Sequence, residues 1–374
     1  MTLKQPSLRF TLDRNLVSPR EQMHFTTYLN ANQWDETVWL ILNGMLETST
    51  AYTIPKVLRG YYDNLLVGVA YIIECRKPAH SFFDNPLATL INAPQIPIYF
   101  WTRNGVMVDS NTNRGFVSDE LDLFTFYQQA IAYLNEKYLY GLVLESSVER
   151  PAAGYTSSPL CDCGLVEIDS YTPVELMLAK HKNLRKKKRK FENKGGVIST
   201  VRGALDKDTL HKAMQFLATL KLQVQTPYQD NYVNMAYKSG SLEDSNLVHL
   251  IATLDGAMVG YHSFVQCQNN LHCLSGAFDR TRKSNYHAYE NMILESMHYA
   301  QQNKIDTIYY GPVLNPTKAS LMSSTEDWEM RFYSRFAVLR NALKMITPYS
   351  KLKPDTFIPF QKTKRSVMND ILTN

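Results

Sequence analysis

The chain has 374 residues, 44% of them hydrophobic, and its 40 Lys and Arg against 35 Asp and Glu give a net charge of +5. That length and apolar content can bury a large core in one extended domain or two, and the composition excludes collagen, coiled-coil and disordered chains. No apolar run reaches the roughly 18 to 20 residues of a membrane span, and Met1 to Pro6 lacks the apolar core of a signal peptide, so a cytoplasmic protein without a membrane span is expected.

In chain order, Ser18-Pro19-Arg20-Glu21 is a helix start signal, with helical patterning over 20–30 and 36–46. Strands are predicted at 56–62 and 65–75, joined by an Asp63-Asn64 turn of the kind that tolerates positive φ. A strand at 97–101, a helix at 121–137 and a strand at 140–145 follow. Arg150 to Pro159 has the composition of an irregular linker. The second half predicts a strand at 164–169, a basic helix, a strand at 197–202 and a helix at 207–222. A hairpin around Asp255-Gly256, a strand at 271–278, a helix at 287–303 and a strand at 305–310 come next. Thr325 to Ile346 reads as a closing helical region.

The two hairpins are related. An offset of 192 residues lays Val57–Cys75 on His249–Cys267 without a gap, with Leu58/Leu250, Asp63/Asp255, Val67/Val259, Gly68/Gly260 and Cys75/Cys267 identical. Each is followed by a further strand, a helix and a strand, so the chain is expected to be a tandem, with domains at 1–158 and 159–374.

Charge is concentrated in one place. Lys180 to Lys194 holds nine Lys or Arg and the single acid Glu192, a local +8 that leaves the rest of the chain at −3. Thr172-Pro173-Val174-Glu175 is a capping box with proline at the first helical position, Gly195-Gly196 is a stop, and Met177, Leu184 and Phe191 form one narrow apolar stripe. Cations of one sign at i,i+3 and i,i+4 repel. The reading is therefore divided between a solvated face and an anionic ligand at 180–194: the phosphates of a nucleotide-bearing cofactor, an RNA backbone or an anionic lipid surface. The five cysteines (Cys75, Cys161, Cys163, Cys267, Cys273) are odd in number and irregularly spaced. Cys161 and Cys163 offer two ligands where a structural zinc site takes four, so no metal is expected.

The Lys/Arg helix ending in Lys194-Gly195-Gly196, the hairpin Leu254 to Gly260, the segment Ser275-Gly276-Ala277-Phe278-Asp279 leading to a helix, and Tyr310-Gly311-Pro312 followed by Lys318 resemble the GNAT acyltransferase fold. The pattern is similar to the tandem families that include CelD-like acetyltransferases and Fem-type aminoacyltransferases. The resemblance is strongest over 171–318 and weaker over 53–145. It implies an α/β (α+β) chain of two tandem GNAT-like acyl-CoA N-acyltransferase units, mixed sheets flanked by helices. Acyl-CoA would be the donor, held by the second half, with the first half on the acceptor side or a scaffold.

In that fold a helix N-terminus binds the cofactor pyrophosphate. The matching segment here is Arg280 to Ala288, with Arg280, Arg282, Lys283, Ser284 and Asn285 as candidate contacts and Asn315 and Lys318 beyond the last strand. The segment departs from the superfamily's Gln/Arg-x-x-Gly-x-Gly/Ala loop, because Tyr286 occupies the glycine position. No Gly-x-Ser-x-Gly elbow or Ser-His-Asp set is evident, which favours direct transfer to an amine of a small molecule or peptide. Tyr309 or Tyr310 would protonate the leaving thiolate; Asp279 or Glu145 would serve as base, with His287 beside the phosphate loop. His249 and His262 read as structural. Two alternatives stand beside this reading. One is tRNA-dependent aminoacyl transfer of the Fem type, although the long helical hairpin insert of many such enzymes is not evident. The other is a non-catalytic nucleotide or nucleic-acid binding module.

Overall fold

The computed structural model describes residues 7–23, 40–41, 43–44, 46–47, 53–75, 97–102, 116–117, 123–139, 141–146, 153–168, 174–175, 178, 182–223, 236–279, 287–312, 318 and 321–346. By contact the chain divides into two compact units, mainly Met1–Cys161 with Asp327–Lys353, and Asp162–Val224 with Tyr232–Glu326.

The first unit opens with β1 (Arg9–Asp13) and α1 (Pro19–Met23), followed by β2 (Thr53–Tyr62), β3 (Leu65–Cys75), β4 (Ile98–Thr102), β5 (Phe116–Val117), α2 (Leu123–Lys137) and β6 (Gly141–Ser146). The start signal of α1 is a reciprocal capping box: Glu21 N–H donates to Ser18 Oγ, and Ser18 N–H donates to Glu21 Oε2. Glu21 Oε1 also takes a hydrogen bond from Arg59 of β2, whose guanidinium is buried against Asp13 and the carbonyls of Asn15 and Leu16. The apolar face of α2, with Phe126, Tyr127, Ala130, Ile131 and Leu134, covers Leu58, Ala70, Ile72, Tyr99 and Val143 of the sheet.

The second unit runs through β7 (Tyr155–Glu167), α3 (Lys182–Glu192), β8 (Gly196–Arg202), α4 (Lys207–Gln223), β9 (Leu247–Leu254), β10 (Ala257–Cys267), β11 (Asn270–Phe278), α5 (Ala288–Gln302) and β12 (Thr307–Pro312). The unit boundary falls within β7. One face of this sheet packs on α5 through Ile293, Leu294, Met297 and Ala300, and on α3 through Phe191. The other face packs on α4 through Leu210, Ala213 and Leu217. Last come β13 (Ser324–Tyr333) and α6 (Ala337–Ile346).

The 192-residue repeat is visible in the strand pairing itself. In the first hairpin Tyr62, Tyr61 and Gly60 face Leu65, Leu66 and Gly68, so Val67 is an unmatched extra residue. In the second, Leu254, Thr253 and Ala252 face Ala257, Met258 and Gly260, and the extra residue is Val259. The bulge thus falls on the two valines that the repeat superimposes. Both turns have two successive positive-φ residues, Asp63-Asn64 and Asp255-Gly256, as a two-residue hairpin of primed type requires. Gly68 and Gly260 each lie under the helix of their unit, against Phe126 and Met292.

Each unit also pairs its strands in the same order and sense. The sequence is three antiparallel contacts, one parallel contact and one antiparallel contact: β1-β2-β3-β4-β6-β13 in the first, β8-β9-β10-β11-β12-β7 in the second. The sixth strands are exchanged along the chain, since the strand that follows β6 in sequence pairs with β12, and the strand that follows β12 pairs with β6.

This exchange corrects two expectations. The Pro/Gly/Ser-rich 150–159 stretch is strand from Tyr155, and 324–333 is strand rather than helix. Trp328 to Tyr333 pairs with Ser146 to Gly141, burying Phe332 and Tyr333, and the Tyr127 and Tyr333 hydroxyls meet at 2.8 Å. Local composition cannot report a partner so distant in the chain. The helix of the closing region survives as α6. In α3, Leu184 and Phe191 face inward as the stripe requires, and Gly195 stops the helix at φ 65. Thr172, Pro173 and Met177 lie outside the described residues, as does helical patterning over 24–39.

Candidate active site

Among the described residues the second sheet opens between β11 and β12. β11 and β12 pair in parallel only from Asn270/Thr307 to His272/Tyr309. Beyond that, β11 continues alongside β10 as far as Phe278, while β12 continues alongside β7. Both strands are bulged there: β11 has one residue too many against Ser263 and Phe264, and β12 is irregular between Tyr309 and Gly311, where Gly311 has φ 65. Two parallel strands that part leave an edge to which an extended ligand can add.

Lys318 sits at this gap. Its ammonium donates to the carbonyls of Tyr310 at 2.6 Å and Gly311 at 3.3 Å, which fixes a positive charge at the end of β12. The charge reaches two neighbouring side chains. Burial and then Lys318 depress His262 of β10 to about 3, and burial raises the Cys273 thiol of β11 to about 11 although Lys318 pulls it the other way.

The candidate residues from the sequence distribute as follows. Tyr310 is 4% exposed; its hydroxyl meets that of Ser296 on α5 and lies 3.4 Å from the Ile293 carbonyl, and its ring stands edge-on to Phe264. Burial lifts it far above the usual phenol range. It ties β12 to α5. Tyr309, on the opposite face, stacks on His272 with ring centroids 4.7 Å apart. Asp279 directly follows β11, with its N–H bonded at 2.9 Å to the carbonyl of the bulge residue Val259. His287 precedes α5 in the left-handed conformation at φ 70 and provides no side-chain cap; its Nδ1 lies 3.2 Å from Glu290 Oε1. Glu145 belongs to β6 of the first unit, opposite Glu329. Arg280, Arg282, Lys283, Ser284, Asn285 and Asn315 lie outside the described residues. The second unit therefore brings Asp279, His287, Tyr310 and Lys318 to the gap and the ends of the elements around it.

Sequence reasoning missed two features. Glu290, in the first turn of α5, is bonded to Lys187 of α3 at 2.9 Å as well as to His287. Burial resists its ionisation, but the hydrogen bonds and charge of Lys187 and the bond from His287 outweigh it, and the carboxyl titrates below its usual range. The basic helix is thereby docked against the start of α5. The second is His262, for which a signal existed: the 192-residue offset lays it on Ala70, so an apolar strand position of one copy carries an imidazole in the other.

Residues 179–319 match the acetyltransferase (GNAT) domain family. Among solved structures, the chain is similar to that described as FemX (11% identity, 87% of this chain and 98% of that one, TM-score 0.51). It is also similar to the C-terminal domain (DUF2156) of a candidate lysylphosphatidylglycerol synthetase from Agrobacterium fabrum (10% identity, 88% and 96%, TM-score 0.51). No curated protein sequence matches. The domain match over residues 179–319 supports an N-acyltransferase of the GNAT-like acyltransferase superfamily, and the two solved structures share the α/β fold. Among the described residues no helix is long and apolar enough to cross a membrane, and no group of three or more His, Cys, Asp or Glu is placed to hold a metal ion.

Proposed function

We propose that the second unit transfers an acyl group from an acyl-CoA type thioester directly to an amine, and that the donor lies in the gap between β11 and β12. The observation that carries this reading is Lys318, a half-buried cation clamped on the carbonyls of Tyr310 and Gly311 where two parallel strands part. In the transfer the amine nitrogen bonds to the thioester carbon, the C–S bond breaks, and the proton lost by the amine is regained by the CoA sulfur. The carbonyl oxygen gathers negative charge on the way, and a fixed cation in a site of low dielectric stabilises it. Asp279 and His287 flank the segment assigned to the donor phosphates and are the bases of this scheme, and the protonated base returns the proton to the sulfur. Tyr310 ties β12 to α5. Glu145 and the first unit serve the acceptor side or act as scaffold, and the setting is cytoplasmic.

The donor phosphates are assigned to Arg280 to Ala288 and the start of α5, with Asn315 kept as a further contact from the sequence reading. Replacing Arg282 and Lys283 by Ala should weaken acetyl-CoA binding at least tenfold, a loss of about 1.4 kcal/mol, with an unchanged melting temperature. Unchanged affinity in that variant would remove the segment from the site.

A second reading, transfer from an aminoacyl-tRNA, is favoured by α3. Its outer face presents Lys182, Arg185, Lys186, Arg189 and Lys190, all exposed, and its one apolar stripe is used internally by Leu184 and Phe191. Such a face suits a phosphate backbone.

A further inference from the structure

We propose that His262 is a second group on the acyl carbonyl of the donor, a neutral imidazole that donates a hydrogen bond to the carbonyl oxygen beside Lys318. The proposal rests on the acyl-CoA reading and goes beyond it by giving a residue contact to the acyl group itself.

Four observations support it. First, the ring is 4% exposed, yet Nδ1 is buried with no hydrogen-bond partner among the described residues. A buried polar atom of this kind costs stability and calls for a reason. Second, the ring is held from three sides. Phe264 and Tyr289 stand edge-on to it at 5.7 and 5.6 Å between centroids, and it lies over Gly276, where a Cβ would come within 2.1 Å of Cδ2 and 2.4 Å of Nε2. Gly276 belongs to the part of β11 that has already left β12, so the imidazole lies over the strand segment that borders the gap. Third, Lys318 is near enough to disfavour a second positive charge, and a neutral imidazole with a fixed orientation is the form that donates without competing for the proton of the leaving group. Fourth, the repeat places Ala70 at the equivalent position of the first unit, buried beneath α2. A strand position that is apolar in the first unit is imidazole in the second, on the strand next to β11.

His249 is the internal contrast. It is also fully buried, with Nε2 unpartnered among the described residues, but it stacks on Tyr261, the aromatic of the α4-side core, with its Nδ1 3.5 Å from that hydroxyl. Among the described residues no lysine contributes to its lowered pKa.

The test uses the full chain and the carbonyl stretch of acetyl-CoA carrying 13C at the acyl carbonyl, with CoA as the ligand that lacks the carbonyl. In the wild type the bound stretch should move to lower frequency than in water. In His262→Phe, which keeps an aromatic ring between Phe264 and Tyr289 but has no donor, the stretch should return most of the way, and acetyl-CoA affinity should fall roughly 2- to 12-fold with CoA affinity unchanged. His262→Gln, which retains an N–H, should recover part of the shift. His262→Leu carries the same expectation as His262→Phe if the larger ring does not fold. An unchanged stretch and affinity in a folded His262→Phe or His262→Leu variant would overturn the proposal and leave His262 a core residue. Failure of the wild type to bind either ligand would instead overturn the acyl-CoA reading on which it rests.

Discussion

Alanine at the two matched glycines should have unequal effects, and the difference follows from what each helix places above them. At Gly68 a Cβ would come within 2.5, 2.7 and 3.1 Å of three atoms of the Phe126 ring, which is completely buried between α2 and the sheet. At Gly260 the nearest atoms are Met292 Cε at 2.7 Å and Sδ at 3.2 Å, the far end of an adaptable side chain. Overpacking against an immobile ring costs about 1 to 3 kcal/mol, whereas a thioether that can rotate away should hold the cost below about 1 kcal/mol. For units of this size each kcal/mol lowers the melting temperature by about 2 to 4 °C, so Gly68→Ala should lose roughly 2 to 12 °C and Gly260→Ala less than about 4 °C. Thermal unfolding followed by circular dichroism reads both. Trimming the ring in Gly68→Ala/Phe126→Leu should cost less than the sum of the two single changes. An effect at Gly260 equal to or greater than that at Gly68 would refute this account of how the repeated strand meets its helix.

Two further outcomes follow from the packing. Glu290 has its carboxyl pKa lowered by Lys187 and His287, so the stability that ion pairing contributes is complete above the ordinary carboxylate pKa of 4.5 and is lost as pH falls through the lowered folded value. Lys187→Met should therefore be less stable than the wild type at pH 7, by about 1 kcal/mol or more, with the gap narrowing in urea titrations below pH 4.5; a difference that does not change with pH would count against the pair. Tyr127→Phe or Tyr333→Phe alone removes the buried 2.8 Å bond between the two hydroxyls and should cost about 1 kcal/mol, while the double change should cost clearly less than the sum, which a double-mutant cycle measures.

Much of the fold was legible because its signals are local. Turn chemistry at Asp63-Asn64 and Asp255-Gly256, the period of α2, α4 and α5, and the glycine stop of α3 each reside within a few residues, and the repeat made the hairpins mutually supporting. The exchange of β7 and β13 was not legible. Tyr155 and Trp328 to Tyr333 are held by partners far away in sequence, and a stretch such as Ser324 to Tyr333 contains enough helix formers to read as helix when its partner is unseen. At the site, Lys318 and the end of β12 could be placed from order alone, since they follow the last strand of a repeated unit. Tyr310 looked like a proton donor because strand ends carry chemistry, but alternation cannot show which hydroxyl finds a buried Ser296. His262 was hidden in an apolar strand, where a lone histidine usually belongs to the core; comparison with Ala70 in the other copy marked it out.

The central claim, a thioester donor held in the second unit, is tested most directly by titrating acetyl-CoA and a total tRNA pool against the full chain at 50 and 200 mM salt. A small donor meets few of the cations of α3 and of residues 280–286, so its affinity should fall by less than about tenfold across that range. RNA gripped by Lys182, Arg185, Lys186, Arg189 and Lys190 would neutralise about five phosphates and lose roughly 100- to 500-fold. The account predicts measurable acetyl-CoA binding with the shallow dependence and weak tRNA binding. Absence of acetyl-CoA binding together with tight, steeply salt-dependent tRNA binding that disappears when those five residues are neutralised would contradict it.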